Sequence, residues 1–232
     1  MMENILNGGR RVLVLSPHTD DAELGCGGTI VRLISSGADV WVAAFSLAKE
    51  SLPPGSAPDR LRGEFLCAMR ILGVDERRTF IHDFPVRHFL THRQRVLDNL
   101  VELRQKLHPE VVLVTSSTDV HQDHQVLHNE ALRTFKDNTL WGYELPWNSL
   151  SFTAQAFVVL NQEHLDRKYA ALQAYKSQFE LQRPYFARQF IQGWAMLRGM
   201  QVRGEYAEAF EVVRVAWQVG APAEASSQES SA

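Results

Sequence analysis

Residues 12–34 of the chain read VLVLSPHTDDAELGCGGTIVRLI, and this stretch decides the fold. It opens with an apolar run from Val12 to Leu15, which is typical of a strand buried on both faces of a parallel sheet. Apolar residues then recur at helical spacing from Leu24 to Ile34, and Gly37 follows near the expected end of that helix. The polar residues between the two runs form the connecting loop. The stretch therefore predicts a strand–loop–helix unit.

Strands and helices continue to alternate along the chain. Over the first 143 residues this order predicts an α/β fold, a Rossmann-like, mostly parallel sheet with helices on both faces. Residues 207–215 have an ambiguous periodicity and fit either a helix or a strand. The predicted later strands are 40–45, 79–81, 111–114, 140–143 and 156–160, and the predicted later helices are 61–72, 93–107, 123–135, 163–175 and 190–199.

Length and composition are those of an ordinary soluble domain. The chain has 232 residues, of which 45% are hydrophobic and 22% are charged. This length fits one large α/β domain better than two small ones, and we expect a single domain over residues 1–220. Residues 221–232 are rich in Ser, Ala and Glu and contain no large apolar residue, which predicts a disordered tail.

Charge and cysteine content limit the partners and the compartment. The formal net charge is −3 and no long Lys/Arg run is present, so no nucleic-acid partner is expected. No apolar run is long enough to span a bilayer, and residues 1–11 lack the apolar core of a signal peptide. Two cysteines, Cys26 and Cys67, make no disulfide framework. We expect a cytoplasmic protein without an integral membrane segment, and a homo-oligomer is an open alternative.

The first cluster of chemically active residues is PHTDDAE, residues 17–23, directly after the first strand. In parallel α/β sheets, ligands bind beyond the carboxyl ends of the strands. His18 and Asp21 are three residues apart, so one turn of chain can aim both at a zinc ion, with Asp20 beside it. The alternative is a plain helix N-terminus, in which the carboxylates favour the positive end of the helix and Asp20 is its cap. That alternative does not explain His18.

The second cluster is DVHQDH, residues 119–124, which follows the predicted strand 111–114. Both clusters should therefore lie at the same edge of the sheet. A lone histidine is more often a satisfied or surface residue, and the Ser, Thr and Asp residues at 115–119 can equally be capping residues. His121 and His124, however, are three residues apart with an aspartate between them. Convergence of the two clusters predicts a metal site.

Residues 17–29, PHTDDAELGCGGT, and HQDH at 121–124 resemble the signature of the PIG-L/LmbE-like family of zinc-dependent N-acetylglucosaminyl deacetylases. The resemblance extends from about residue 11 to residue 215 and implies the LmbE-like form of the α/β fold. It implies hydrolysis of the N-acetyl group of an N-acetylated amino sugar or sugar conjugate by zinc-activated water. The implied metal ligands are His18, Asp21 and His124; Fe²⁺ is an alternative to Zn²⁺ because His/Asp sites accept both.

The resemblance also implies the catalytic residues. Asp20 would be the general base, and His121 would be the electrophilic or acid partner, held by Asp123. This sequence departs from the family pattern at Thr19, where the family usually has proline. The departure changes the stiffness of the loop but removes no functional group.

Candidate substrate contacts are less closely defined. The arginine that contacts substrate in the family aligns near Leu61, so the flanking Arg60 and Arg62 are the candidates. Trp147, in a predicted loop, is a further candidate because an aromatic ring can stack on a sugar ring, although aromatics more often pack in cores.

Other functions fit parts of the sequence. Gly25-x-Gly27-Gly28 after a strand suggests a nucleotide-binding protein, but the dinucleotide fingerprint requires Gly or Ala at position 30, which is Ile. The same metal site could belong to an amidase of a larger sugar-linked conjugate. A catalytically silent sugar-binding member of the same fold is the third alternative. Metal analysis distinguishes the first alternative, and acetate release distinguishes the third.

Overall fold

Seven strands form one mixed sheet in the computed structural model of the chain, which describes residues 9–216. The strands are β1 (Arg11–His18), β2 (Asp39–Ser46), β3 (Thr79–Ile81), β4 (Val111–Thr115), β5 (Thr139–Tyr143), β6 (Ala156–Leu160) and β7 (Tyr206–Arg214). Their order in the sheet is β3-β2-β1-β4-β5-β7-β6. Strands β1 to β5 are parallel to one another, whereas β7 pairs antiparallel with both β5 and β6. The expectation of a mostly parallel α/β sheet is confirmed.

Helices cover both faces of this sheet. The helices are α1 (Asp21–Ser35), α2 (Arg60–Leu72), α3 (Arg93–Leu107), α4 (Gln122–Thr134), α5 (Gln162–Leu172), α6 (Lys176–Glu180) and α7 (Arg188–Met200). Alternate residues of β1 enter two separate cores, because successive side chains of a strand point to opposite faces. Val12 and Val14 pack with α1, α2, α5 and α7, whereas Leu13 and Leu15 pack with α3 and α4. No helix within the described residues has the length and apolarity needed to cross a bilayer.

The C-terminal third of the chain departs from the sequence predictions. Residues 207–215, which fitted a helix or a strand, form β7, because this segment is hydrogen-bonded between β5 and β6. The helix predicted over 163–175 ends at Leu172, and the short helix α6 was not predicted. The single domain over residues 1–220 stays a prediction. The tail predicted at 221–232 lies outside the described residues.

The glycines of α1 are required by packing. A Cβ atom on Gly25 would lie 2.2 Å from Cδ2 of Tyr143, and one on Gly28 would lie 2.4 Å from Cδ1 of Leu160. Distances this short are incompatible with any side chain. These glycines are buried where α1 crosses the sheet, so they offer no surface to a phosphate group. The nucleotide-binding alternative loses its main support.

A buried carboxylate offsets a break in α1. The backbone leaves helical geometry at Cys26, where φ is −144° and ψ is 25°. The Glu208 carboxylate of β7 accepts hydrogen bonds from the amides of Gly28, at 3.0 Å, and Thr29, at 2.6 Å. Lys168 Nζ donates to the same carboxylate at 2.7 Å, which leaves the buried charge paired. The contacts hold the second half of α1 against the sheet while its first turn faces the site.

Candidate metal centre and active site

The two sequence clusters meet at the carboxyl edge of the sheet. Strands β1 and β4 are parallel neighbours, and His18 is the last residue of β1. Asp21 begins α1, and His124 lies in the first turn of α4. Both helices start at the same edge because each follows the end of its strand, so the predicted convergence of the clusters is present in the fold.

Three potential ligand atoms form a compact triangle. His18 Nδ1 lies 3.0 Å from Asp21 Oδ2, and His124 Nε2 lies 3.2 Å from the same oxygen. The two imidazole nitrogens are 3.2 Å apart. Atoms that ligate one tetrahedral zinc ion at its usual bond lengths are separated by roughly 3.3 Å. The triangle therefore has the dimensions of one face of a tetrahedral metal site.

Carboxylates outside the triangle fix the protonation of both imidazoles. His18 Nε2 donates to Asp123 Oδ2 at 3.1 Å, and His124 Nδ1 donates to Asp119 Oδ2 at 2.7 Å. In the neutral rings the remaining nitrogens then carry lone pairs, which face each other and the oxygen of Asp21. Three acceptors at this distance repel one another unless positive charge lies among them. The donor set fits a divalent cation, with nitrogen and oxygen ligands suited to zinc or iron(II).

The electrostatics of these groups favour positive charge in the triangle. Burial opposes protonation of His124, but the charges of Asp21 and Asp119 and the hydrogen bonds to both carboxylates outweigh it and raise its pKa to about 10. Burial likewise opposes ionisation of Asp21, but His124 and His18 hold the pKa of that carboxyl far below its usual range. The buried carboxylate of Asp21 is therefore ionised and available as a ligand.

A second ligand set includes His121 in place of Asp21. Ligand nitrogens of His18, His121 and His124 all lie within 4.8 Å of one another. That spacing is wider than the triangle formed with Asp21, where the longest separation is 3.2 Å. The shorter distances favour Asp21 as the third ligand and leave His121 beside the metal position.

Asp20 faces the cavity as a free carboxyl group. It precedes α1, but its side chain forms no capping hydrogen bond, so the capping alternative is wrong for this residue. Burial and the neighbouring charge of Asp21 raise the pKa of Asp20 to about 6. A carboxyl group with a raised pKa beside a metal position is suited to accepting a proton.

His121 lies at the start of α4 with one ring nitrogen already engaged. Its Nδ1 accepts a hydrogen bond from the backbone amide of Asp123 at 3.2 Å, and this contact caps the helix. The proton of the neutral ring is thereby on Nε2. Burial and the charges of His124 and His18 lower the pKa of His121 to about 4. A neutral imidazole with an N–H can stabilise an oxyanion by hydrogen bonding.

The role expected for the Asp123 side chain is wrong. The carboxylate does not hold His121; it contacts His18, and only the backbone amide of Asp123 contacts His121. Two backbone amides of the loop before α3, those of Arg87 and Phe89, donate to the same carboxylate at 2.5 Å and 3.1 Å. These donors orient the Asp123 side chain across the edge of the sheet, toward His18 at the end of β1.

Asp119 was missed as a functional residue. One carboxylate oxygen accepts from His124 Nδ1, and the other accepts from the backbone amide of His121 at 2.9 Å. The side chain is buried and thus positions both histidines of the second cluster. The sequence showed this aspartate beside the cluster, but it matched a capping residue equally well.

A cavity of about 300 Å³ opens onto the triangle. Trp147 lines it and stacks on Tyr185, with ring centroids 4.3 Å apart and an interplanar angle of 11°. The predicted contact between Trp147 and substrate stays a prediction, now with the residue on the cavity wall. The other lining residues that follow Trp147 in the chain, besides Tyr185, are Asn148, Gln178 and Arg183.

The two arginines predicted to contact substrate do not line the cavity. Leu61 points into the cavity wall, and successive residues of a helix point in different directions, which turns Arg60 and Arg62 away. Arg60 is held by Glu64 at 3.0 Å and by Glu180 at 2.5 Å. Arg62 is exposed on α2. The predicted contact of Arg60 or Arg62 with substrate stays a prediction, and the arginine on the cavity wall is Arg183, which the sequence reasoning missed.

The family comparison agrees with this geometry. The model of the PIG-L family, described as GlcNAc-PI de-N-acetylase, matches residues 13–135, more than half of the 232-residue chain. The chain belongs to this family. The matched segment contains all three atoms of the triangle and both residues beside it, so the PIG-L signature and the observed site are formed by the same residues.

Individual PIG-L relatives and structures are similar over different lengths. The uncharacterized deacetylase YaiS of Escherichia coli K12 is 29% identical over 175 residues, covering 72% of this chain and 90% of that protein. The 1D-myo-inositol 2-acetamido-2-deoxy-alpha-D-glucopyranoside deacetylase of Streptomyces griseus is 30% identical over 156 residues, or 53% of this chain and 48% of that protein. The structure of N,N'-diacetylchitobiose deacetylase from Pyrococcus horikoshii superposes with a TM-score of 0.72 at 20% identity, covering 88% of this chain and 83% of the other. That similarity confirms the fold.

Proposed function

We propose that this PIG-L family chain is a metal-dependent N-deacetylase of N-acetylated amino sugars or their conjugates. The observation that carries the proposal is the triangle of His18 Nδ1, Asp21 Oδ2 and His124 Nε2, flanked by Asp20 and His121 on one cavity. The names of the two curated relatives, both deacetylases, support the same reaction class. The Streptomyces relative acts on an acetamido sugar by its name, which supports a sugar substrate here.

The metal in this proposal is Zn²⁺, with Fe²⁺ as the alternative, held by His18, Asp21 and His124. A divalent cation bound there lowers the pKa of water and polarises the amide carbonyl. Asp123 and Asp119 keep the lone pairs of the two imidazoles directed toward the metal position. The two carboxylates thus preorganise the site, because each imidazole is already held by a hydrogen bond on the side away from the metal position.

The remaining steps belong to Asp20 and His121. The Asp20 carboxylate takes the proton of the attacking water, a transfer suited to a half-buried group whose pKa is raised to about 6. His121 donates its Nε2 hydrogen to the oxygen of the carbonyl as negative charge develops there. The leaving nitrogen receives the proton that Asp20 took from the water, because a neutral His121 that gave up its Nε2 proton would be left as an imidazolate. The products are acetate and a free amino sugar.

Substrate recognition in the proposal uses the stacked pair Trp147 and Tyr185. The apolar face of a pyranose ring packs well on an aromatic surface. Trp147, its stacking partner Tyr185 and Asn148 all line the cavity that also holds His121. A sugar resting on this pair would present its 2-acetamido group toward the metal ligands.

The proposed compartment is the cytoplasm. Cys26 is buried and Cys67 is exposed, and both are free thiols. An exposed free thiol is compatible with a reducing environment. The experiment that tests this part is fractionation of the native source, with the chain expected in the cytoplasmic fraction.

Acetate release from a panel of N-acetyl sugars tests the proposed reaction. The native chain should release acetate and free amine, and Asp20→Ala should lose most of this turnover. Asp137→Ala, which removes an exposed carboxylate that does not line the cavity, is the matched control and should be unchanged. A metal-loaded native chain that releases acetate from no member of the panel would overturn the proposal. Cleavage of larger sugar-linked amides only would support the amidase alternative.

A further inference from the structure

Arg183 lines the catalytic cavity, yet the proposed reaction gives it no task. Within the described residues it is the only lysine or arginine on the wall of this cavity. It lies between α6 and α7, directly before Pro184, and this segment is outside both sequence clusters, residues 17–23 and 119–124. The carboxylates on the same wall are those of Asp20 and Asp21.

The guanidinium of Arg183 is left without a protein acceptor. Its Nε is buried and has no hydrogen-bond partner among the described residues. Other partly buried arginines are fully engaged: Arg60 bonds to two glutamates, and Arg198 bonds to Glu144 through two nitrogens. An unsatisfied buried N–H is costly, because it loses water without gaining an acceptor. Because Arg183 also lines the cavity, an acceptor on a bound substrate would satisfy this guanidinium.

The backbone around Arg183 is fixed. Gln182 adopts a left-handed conformation with φ of 54°, which non-glycine residues rarely occupy. Pro184 restricts the preceding residue to extended geometry, and Arg183 has φ of −63° and ψ of 114°. The carbonyl of Arg183 accepts from the amide of Phe186 at 3.1 Å. Arg183 therefore projects from a turn whose backbone is restricted by Pro184 and by the bond to Phe186.

The groups around Arg183 suit a polar ligand. Burial raises the pKa of Tyr185 well above its usual range, so its hydroxyl stays protonated and can donate. Ser51 adds a second hydroxyl to the cavity wall. The charge of Arg183 opposes the rise in the pKa of Asp20 without cancelling it, and no ion pair joins the two side chains. The guanidinium is thus near the proposed base and still free to bind another anion.

We propose that Arg183 binds an anionic group of the substrate, a carboxylate or a phosphate, while the amide lies at His18, Asp21 and His124. The planar guanidinium matches both groups with paired N–H donors. This inference rests on the proposed deacetylase function and specifies that the sugar substrate carries a negative charge. In a competing role, Arg183 would act only on the charge of Asp20. Substitution of Arg183 would then change kcat/KM equally for charged and neutral substrates.

Three sugars test the inference: N-acetylglucosamine, N-acetylglucosamine 6-phosphate and N-acetylmuramic acid. The native chain should have a higher kcat/KM for an anionic sugar than for the neutral one, by about 10-fold or more. Arg183→Gln should lower that kcat/KM by about 30-fold, mainly through KM, because a charged hydrogen bond is lost. Arg183→Lys should recover part of the loss. Arg70→Gln, which neutralises an exposed arginine of α2 that does not line the cavity, should leave all three values unchanged.

The outcomes separate the inference from the proposed function. A preference for the phosphate or for the muramic acid carboxylate identifies the source of the anion. Equal losses for all three sugars in Arg183→Gln, or no anionic preference in the native chain, overturn the inference. If the native chain deacetylates none of the three sugars, the proposed function fails. The anion-binding inference is then tested by calorimetric measurement of the binding of the same sugars. Tighter binding of an anionic sugar that is lost in Arg183→Gln supports the anion site, and equal or absent binding overturns it.

Discussion

The Nε2 atom of His18 lies 3.1 Å from the carboxylate of Asp123, on the side of the ring away from Asp21. The contact joins β1 to α4 and fixes the proton on Nε2, which leaves Nδ1 free to act as a ligand. Asp123 therefore controls a ligand supplied by the other cluster. Asp119 does the same for His124 within its own cluster.

Asp123→Asn should weaken metal binding without unfolding the chain. If the amide oxygen takes the place of Oδ1 and keeps the bond to the backbone amide of Phe89, the new NH₂ group takes the place of Oδ2. It then faces the N–H groups of both His18 and Arg87, and donors that face each other repel. The ring must then change its tautomer or turn. We expect a loss of metal affinity of about 10- to 100-fold, measured by competition with a chromophoric chelator.

The control for this prediction is Asp137→Asn, an exposed position that faces no histidine. It should bind metal with native affinity. Native affinity in Asp123→Asn as well would show that the His18 ring does not depend on this carboxylate.

His124→Ala should abolish stoichiometric metal binding. The substitution removes one corner of the triangle and leaves only His18 and Asp21 to hold the ion. His128→Ala is the matched control: it lies one turn further along α4, is also buried, and donates to the carbonyl of Thr115 at 2.8 Å. We expect the control to retain metal with some loss of stability, measured by elemental analysis and thermal unfolding. Metal retained in both variants would contradict the ligand assignment.

Asp20→Asn should separate metal binding from turnover. The amide cannot accept the proton of the attacking water, but it is close in size to the carboxyl it replaces and is not a ligand in the triangle. We expect full metal occupancy and a decrease in kcat of about 10²- to 10⁴-fold, measured on the best sugar of the panel. Turnover at the native rate would refute the role of general base.

The sequence predicted the parts of this site that are contiguous in the chain. The two clusters were located because each lies next to a predicted strand end, and parallel strands place such ends together. The choice of His18, Asp21 and His124 as ligands came from the resemblance to the PIG-L family. The assignment of Asp123 failed because sequence adjacency to His121 was taken for contact, whereas the backbone turns the carboxylate toward His18. Adjacent residues of a helix point in different directions, so spacing alone does not reveal their partners.

The cavity wall opposite the metal position was largely beyond sequence reasoning. Arg183 and Tyr185 reach it from a turn after α6, and the position of that turn depends on contacts with α2 that are distant in sequence. Ser177 of α6 is held by the Glu64 carboxylate of α2, and no local pattern encodes that pairing. Long-range packing of this kind explains why Arg60 and Arg62 were selected instead of Arg183.

Removal of the metal should lower the thermal stability of the native chain. A ligand present at about 100 times its Kd stabilises the folded state by about 2.7 kcal/mol, which for a chain of this size corresponds to a Tm shift of about 5–10 °C. Dialysis against a chelator should produce this shift, and Zn²⁺ or Fe²⁺ should reverse it in differential scanning fluorimetry. His124→Ala should show no response to either treatment. An equal Tm shift in that variant would mean that the stabilising metal binds at a site other than the triangle.

Gly25→Ala should destabilise the fold. Its new methyl group would lie 2.2 Å from Cδ2 of Tyr143, a ring that is fully buried and anchored by a hydrogen bond from its hydroxyl to the Leu15 carbonyl at 3.0 Å. The ring cannot move without breaking that bond, so α1 must shift. We expect a loss in the free energy of unfolding of about 1–3 kcal/mol, measured by urea denaturation.

Gly63→Ala is the matched control for the same chemical change. Gly63 is exposed within α2, and a Cβ atom there has no neighbouring atom within 4 Å. Because alanine loses less conformational freedom than glycine in a helix, this variant should gain about 0.5–1 kcal/mol. Opposite signs at the two positions would establish that Gly25 is retained for contact with Tyr143. A neutral Gly25→Ala would mean that α1 and β5 can separate, and the packing explanation of the glycine motif would fail.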